Sequence, residues 1–166
     1  AGNSSKLKTV DEFNRDYRPD KAIWWYTREC FTYQMLNRAL RLLESDIIVD
    51  MGFFVHDLHR QLKDLHQQQF GDYHGALLTV YRGQALSVES FDKLQKSRGG
   101  LLALNNFLST SKNRSVSLTF ANRSSRHDGM VGILFVMTIN PAIRSAIFAA
   151  IEHHSYLVRE NEVVFS

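Results

Sequence analysis

Val131-Gly-Ile-Leu-Phe-Val-Met-Thr-Ile139 is the longest apolar run in the chain, and Asn140-Pro141 closes it. It is far shorter than the roughly 20 residues that cross a bilayer. Its β-branched and aromatic content predicts a strand. Shorter strand-like stretches surround it. Ala76-Leu-Leu-Thr-Val-Tyr-Arg82 is β-prone and reads as ended by Gly83. Gly99-Gly100 reads as a turn before strand-like Leu101-Leu-Ala-Leu104 and Phe107-Leu108, and Ala146–Ile151 and Val163–Phe165 complete the set. Ser87 is placed to cap a short helix through Gln95. Val116–Ala121 reads as a brief helix and Ser124–Gly129 as a polar loop.

Upstream the periodicity changes. Over about residues 20–70, Ile23, Tyr26, Cys30, Tyr33 or Gln34, and Asn37 step at helical spacing beside a Leu36, Leu40, Leu43 stripe. Leu58, Leu62 and Leu65 repeat the pattern in a second helix. Pro19 sits where a first helical turn tolerates it, and Gly52 marks a break between helices. Helices first and strands later, over about 76–166, without strict alternation, predict an α+β fold rather than a doubly wound parallel sheet. The 166 residues fit one domain.

Composition narrows the function classes. Hydrophobic residues make up 44% and charged residues 22%, which excludes a disordered chain. The opening Ala-Gly-Asn-Ser-Ser-Lys has no initiator methionine and no apolar signal core, and reads as a trimmed end. Cys30 stands alone, so disulfides within the chain and cysteine zinc sites are excluded, and an intracellular setting is expected. The net charge of +3 is scattered, with no basic run, so neither nucleic acid nor membrane is an expected partner. His56 and His59 approach metal-ligand spacing, but without a third ligand they read as surface residues, and no metal is expected.

Three motifs carry chemistry. Tyr81-Arg82-Gly83 puts a guanidinium at a strand end beside a residue that lets a ligand approach the backbone. That suits a phosphate, although taken alone the motif is more often a surface salt bridge. In Asn106-Phe-Leu-Ser109-Thr-Ser111, small hydroxyl residues follow a strand. Ser111, Asn113 and Ser115 read as caps of the next helix, whereas Ser109 lies at the strand end itself. In Arg159-Glu160-Asn161-Glu162, extended backbone projects Glu160 and Glu162 to one side, roughly 7 Å apart. Two carboxylates on one face repel, which points to a site, or else to an exposed edge strand.

In that order, with their flanks, these motifs resemble the R-S-E class of mono-ADP-ribosyltransferases, a class that includes clostridial actin-modifying toxins and animal arginine-specific enzymes. The flanks Val80-Tyr-Arg-Gly-Gln84, Gly99-Gly-Leu-Leu-Ala103, Asn106-Phe-Leu-Ser-Thr-Ser-Lys112, Gly132-Ile-Leu-Phe-Val-Met-Thr138 and Glu162-Val-Val-Phe-Ser166 look like invertebrate members often fused to tetratricopeptide repeats. The resemblance runs from about Trp24 to Ser166. It implies an ADP-ribosyltransferase fold with N-terminal helices packed on a split β-sandwich core. It further implies NAD as co-substrate and transfer of ADP-ribose to arginine on a protein partner. Such relatives usually continue with one more strand where this chain stops.

The resemblance also assigns roles. Arg82 would bind the NAD pyrophosphate and the Gly83 backbone the nicotinamide amide. Ser109 would position Glu162, and Asn106 would contact the cofactor. Phe120 would pack near nicotinamide, with Arg123 as a second phosphate ligand. Tyr26-Thr27, Tyr33, Asn37 and Leu40-Arg41 look like the toxins' helical pattern, so Tyr33 and Asn37 would touch the nucleotide or else pack in the core. Glu162 would stabilise positive charge on the ribose, and Glu160 would orient and deprotonate the incoming guanidinium. Tyr156, in a substrate-facing turn over 152–159, would present an aromatic face to an arginine. An NAD glycohydrolase, a non-catalytic NAD- or protein-binding domain, and an interaction module of a larger protein remain the alternatives.

Overall fold

Pro19 opens a short 3-10 turn, Pro19–Lys21, where its fixed φ suits the first helical position. The turn leads into α2 (Ala22–Thr27), which buries Ile23, Trp25 and Tyr26. In this computed structural model the described residues are 2–28, 30–69, 76–124, 128–141, 143, 146–156 and 161–166, with side chains described from residue 7 and not at 124. The stripe from Ile23 to Asn37 does not form one helix. It breaks after α2, and α3 (Phe31–Leu42) follows. Side chains take over the carbonyls at the break: Thr27 Oγ1 donates to Ile23 O at 2.9 Å and Thr32 Oγ1 to Trp25 O at 3.1 Å. Such local bonds compete with the helical ladder. Leu43 caps α3 in the left-handed region at φ 54° and is exposed rather than part of an apolar stripe.

The break at Gly52 is as expected. α4 (Ser45–Asp50) ends just before α5 (Gly52–Gln69), which buries Phe54, Leu58, Leu62 and Leu65 along one side. The first helix, α1 (Gly2–Asp16), was not anticipated. Its sequence is polar, and among its described side chains the buried one is Phe13, which meets Tyr17, Trp25 and Phe31 at ring separations of 4.7, 5.0 and 5.4 Å.

The five strands form one antiparallel sheet in the order β3-β1-β2-β5-β4. β1 (Leu78–Ser87) pairs along its whole length with β3 (Met130–Ile139). β2 (Leu108–Ser111) pairs with β5 (Glu162–Phe165), which pairs in turn with β4 (Phe148–Ala150). These two ladders meet only at Tyr81 opposite Ser111, and this narrow joint is the split in the β core. The helices α2, α3 and α5 pack on the second ladder through Phe107, Ala149, Ile151 and Val164. α7 (Arg114–Ser124), longer than the brief helix expected, lies against β1 and β3. Asn113 caps it, accepting from Ser115 N at 3.0 Å. Ser87 caps α6 (Val88–Lys96) as expected, accepting from Ser90 N at 3.2 Å. Among the described residues no helix is long and apolar enough to cross a membrane.

Two strand expectations need correction. Gly83 does not end β1, which runs on to Ser87. A Cβ at Gly83 would lie 1.7 Å from the Ser117 carbonyl oxygen, so the glycine is there to admit the α7 backbone. Leu101–Leu104 forms no strand and is exposed. None of the described strands pairs with this apolar run, and β propensity alone does not make it a strand. The long run that became β3 lies at the sheet edge, with Val136 exposed. Of the expected loop Ser124–Gly129, residues 125–127 fall outside the described residues.

Candidate active site

Arg82 projects from β1 at the joint between the ladders. Its Nε donates to Gln84 Oε1 at 3.0 Å and a terminal nitrogen donates to the Ser109 carbonyl at 2.8 Å. The half-buried guanidinium thus braces β1 against β2 through neutral acceptors. Among the described residues it forms no ion pair, so the surface salt-bridge explanation finds no partner there. Its charge and remaining donors are left for an anion.

Register brings the next residues together. Ser111 stands opposite Glu162, and Ser109 is two residues along β2, so all three project from one face of the sheet. Glu162 is only 8% exposed. A carboxylate buried to this degree needs hydrogen-bonding company, and the Ser155 hydroxyl lies 3.5 Å from its Oε2. Ser111 also accepts from Asn113 N at 2.9 Å, a turn just before α7, whose cap is Asn113 rather than Ser111.

Behind Ser109 sits a buried polar network centred on Tyr26. Its hydroxyl donates to Phe107 O at 2.9 Å and accepts from Asn37 Nδ2 at 3.2 Å. Asn106 Nδ2 reaches Phe107 O at 2.9 Å and Asn37 Oδ1 at 3.4 Å. Burial pushes the Tyr26 phenol well above its usual range and the nearby Tyr33 phenol adds to this, while hydrogen bonds from Asn37 and Ser109 oppose it. Tyr26 therefore stays neutral and works as a rigid brace under β2.

An open cleft of about 110 Å³ lies over these groups, lined by Thr27, Tyr33, Arg82, Gly83, Ser109 and Glu162, with Val116, Ser117 and Phe120 along its α7 side. It adjoins a second space of about 360 Å³ in which Arg82 is joined by Arg41, Gln84, Asn105 and Asn106. Arg82 is common to both. Arg82, Gly83, Ser109, Glu162, Tyr33 and Phe120 are thus brought to one cleft, and Asn106 to its extension. Asn37 is buried behind the wall, and Arg123 is exposed in the last turn of α7, lining neither space. Tyr156 lies beside the cleft, its amide donating to Thr27 Oγ1 at 2.8 Å. Glu160 and Arg159 lie outside the described residues.

Two cleft residues, Arg41 and Thr27, and the Glu162 neighbour Ser155 escaped assignment from sequence. Arg41 and Thr27 sit in the helical pattern quoted for the resemblance, yet helical spacing does not say which face meets the sheet. Ser155 carries no sequence signal. His56 Nδ1 lies 3.3 Å from Asp57 Oδ1 and His59 Nδ1 lies 2.6 Å from the Ser166 hydroxyl, so each has an ordinary surface partner. Among the described residues no group of three metal-ligating side chains occurs.

The structure is similar to the crystal structure of ADP-ribosyltransferase HopU1 of Pseudomonas syringae pv. Tomato DC3000, with a TM-score of 0.60 and 18% sequence identity over 98% of this chain and 72% of that chain. No protein-family model and no curated protein matches the sequence. The chain therefore has the ADP-ribosyltransferase fold, α+β, with helices on a split antiparallel sheet.

Proposed function

We propose that this chain transfers ADP-ribose from NAD to an arginine side chain of a protein, releasing nicotinamide. The observation that carries this reading is the gathering of Arg82, Ser109 and Glu162 around one cleft by neighbouring strands of that fold. The cleft has the mixed polar and apolar lining of a small-molecule site. Its two compartments share a cation, which matches an elongated ligand with a charged middle.

In this reading Arg82 holds the pyrophosphate, with Arg41 as a further cation in the second compartment. Nicotinamide and its ribose lie in the first, against the Gly83 backbone and between Tyr33 and Phe120. As the glycosidic bond to nicotinamide lengthens, positive charge grows on the ribose. An ionised Glu162 accepting from the ribose 2′-hydroxyl stabilises that charge, and placed electrostatics of this kind contribute about 10² to 10³ in rate. Ser109 and Ser155 hold the carboxylate in place. An arginine nucleophile is protonated at neutral pH and needs a base. Glu160 takes that role by the resemblance, and the arginine preference rests on it.

Labelled NAD, supplied with and without agmatine as a small guanidinium acceptor, tests the reading directly. Labelled agmatine together with released nicotinamide is the expected result. Nicotinamide alone would replace the transferase with a glycohydrolase or another acceptor, and NAD binding without turnover would leave a binding domain.

A further inference from the structure

Arg28, just past the end of α2, joins three segments that are distant in sequence. Its guanidinium carbon lies 5.3 Å and 5.1 Å from the ring centroids of Trp24 and Trp25, and 5.8 Å from that of Tyr156. Trp24 and Tyr156 also meet edge to face at 5.3 Å. On its remaining side a terminal nitrogen pairs with Glu12 Oε2 of α1 at 2.8 Å. Its other terminal nitrogen is buried with no hydrogen-bond partner among the described residues, so the aromatic faces stand in for acceptors there. A planar guanidinium can stack and pair at once, which an ammonium cannot.

The segment this arrangement holds is the turn at Ile151–Tyr156. His154 N and Ser155 N both donate to Ile151 O, at 2.8 and 2.9 Å, which coils the turn tightly. One attachment is Ser155 against Glu162, and another is the Tyr156 amide on Thr27 Oγ1, in the cleft wall. The Tyr156 ring itself is 48% exposed, which leaves part of it open to solvent beside the cleft.

We infer that Arg28 is a positioning residue for acceptor recognition: it clamps Tyr156, and with it the turn beside Glu162, so that the affinity for a guanidinium acceptor depends on the docking of α1 through Glu12. This rests on the transferase reading above. Arg28 lines neither compartment of the cleft, so NAD handling and acceptor handling separate in the test.

The test compares the full chain with Arg28→Gln, Arg28→Lys and Glu12→Gln. It follows agmatine modification at saturating NAD, NAD hydrolysis without acceptor, and amide exchange of His154, Ser155 and Tyr156. Loss of the clamp is expected to raise the agmatine KM about three- to ten-fold in Arg28→Gln, with a smaller rise in Glu12→Gln. NAD hydrolysis should change less than the agmatine KM, through the Ser155 contact with Glu162, while the three amides exchange faster. Arg28→Lys should recover part of the KM, because it keeps the Glu12 pair and loses the stacking. An unchanged KM would overturn the inference, and so would a lowered one, which would mean that Arg28 competes with the acceptor for the ring. If Arg28→Gln does not fold, Glu12→Gln, which leaves the cage intact, decides the matter. If the unsubstituted chain modifies no agmatine, the transferase reading has failed, and the amide exchange alone then upholds or overturns the clamp.

Discussion

The Arg82 guanidinium donates to the Ser109 carbonyl at 2.8 Å across the one place where the two ladders of the sheet touch. The same side chain that offers charge to the cleft therefore also ties the cleft's two walls together. Arg82→Ala should weaken NAD binding by about 1.5–3 kcal/mol, the range for a hydrogen bond to a charged group. Arg82→Lys keeps the charge but not the fork, and a lone ammonium cannot bond both Gln84 and Ser109 in the same way. It should recover only part of the affinity. Calorimetric titration with NAD checks both, and an affinity unchanged in Arg82→Ala would remove Arg82 from the site.

Gly83 carries a prediction of a different kind, about backbone rather than charge. Its missing side chain lets the Ser117 carbonyl sit where a Cβ would be, and Ser117 Oγ donates to Tyr81 O at 2.9 Å in the same contact. Gly83→Ala must push α7 away from β1, since the opposing atoms are backbone and cannot rotate aside. Overpacking of this sort costs roughly 1–3 kcal/mol. Denaturant unfolding should show the loss, and NAD binding should weaken with it because Phe120 moves with the helix.

How far the sequence reveals this arrangement depends on the kind of residue. Leu58, Leu62 and Leu65 announce a buried face by spacing alone, and Ser87 announces its helix by cap chemistry. Arg82, Ser109 and Glu162 stand out through the order of their motifs, each at a predicted strand, while the register that gathers them appears only in the fold. The helical contribution is harder to read. Tyr26 and Asn37 look like core positions, and they are core positions that also brace Ser109 from behind. The break between α2 and α3 depends on hydroxyls capturing carbonyls, a tertiary choice that periodicity does not encode. Leu101–Leu104 shows a related limit: β propensity describes a segment, while strand formation depends on which strands the fold brings beside it. Gly83 shows the same limit, since a glycine that ends a strand and one that admits a helix look alike in sequence.

The two glutamates of Glu160-Asn161-Glu162 should separate by substitution. Glu162→Gln keeps the shape and the contact with Ser155 while removing the negative charge. Transfer and NAD hydrolysis should both fall by about 10² to 10³, with the melting temperature nearly unchanged. Glu160→Gln should leave hydrolysis intact and abolish modification of agmatine. Nicotinamide release and labelled agmatine, measured in parallel, check this. Full activity in a folded Glu162→Gln protein would sink the mechanism.

Alkaline pH offers a test that needs no substrate. Burial raises the Tyr26 phenol, with Tyr33 adding to it, and burial raises the Tyr17 phenol, with its hydrogen bond to Asp57 at 2.9 Å adding to it. In the unfolded chain both phenols ionise near their ordinary value of about 10. The folded protein holds those protons to higher pH, so above about pH 10 the unfolded state binds fewer protons and stability falls as pH rises. Below that point the two tyrosines should contribute no slope. Tyr26→Phe should flatten part of the alkaline decline. It should also lower stability by about 1–3 kcal/mol at neutral pH, because the Asn37 amide loses its acceptor inside the wall of the cleft. Denaturant midpoints measured from neutral to strongly alkaline pH, for both proteins, decide it. Parallel slopes would mean that Tyr26 ionises in the folded state as readily as in the unfolded one, and that the network beneath Ser109 is open to water.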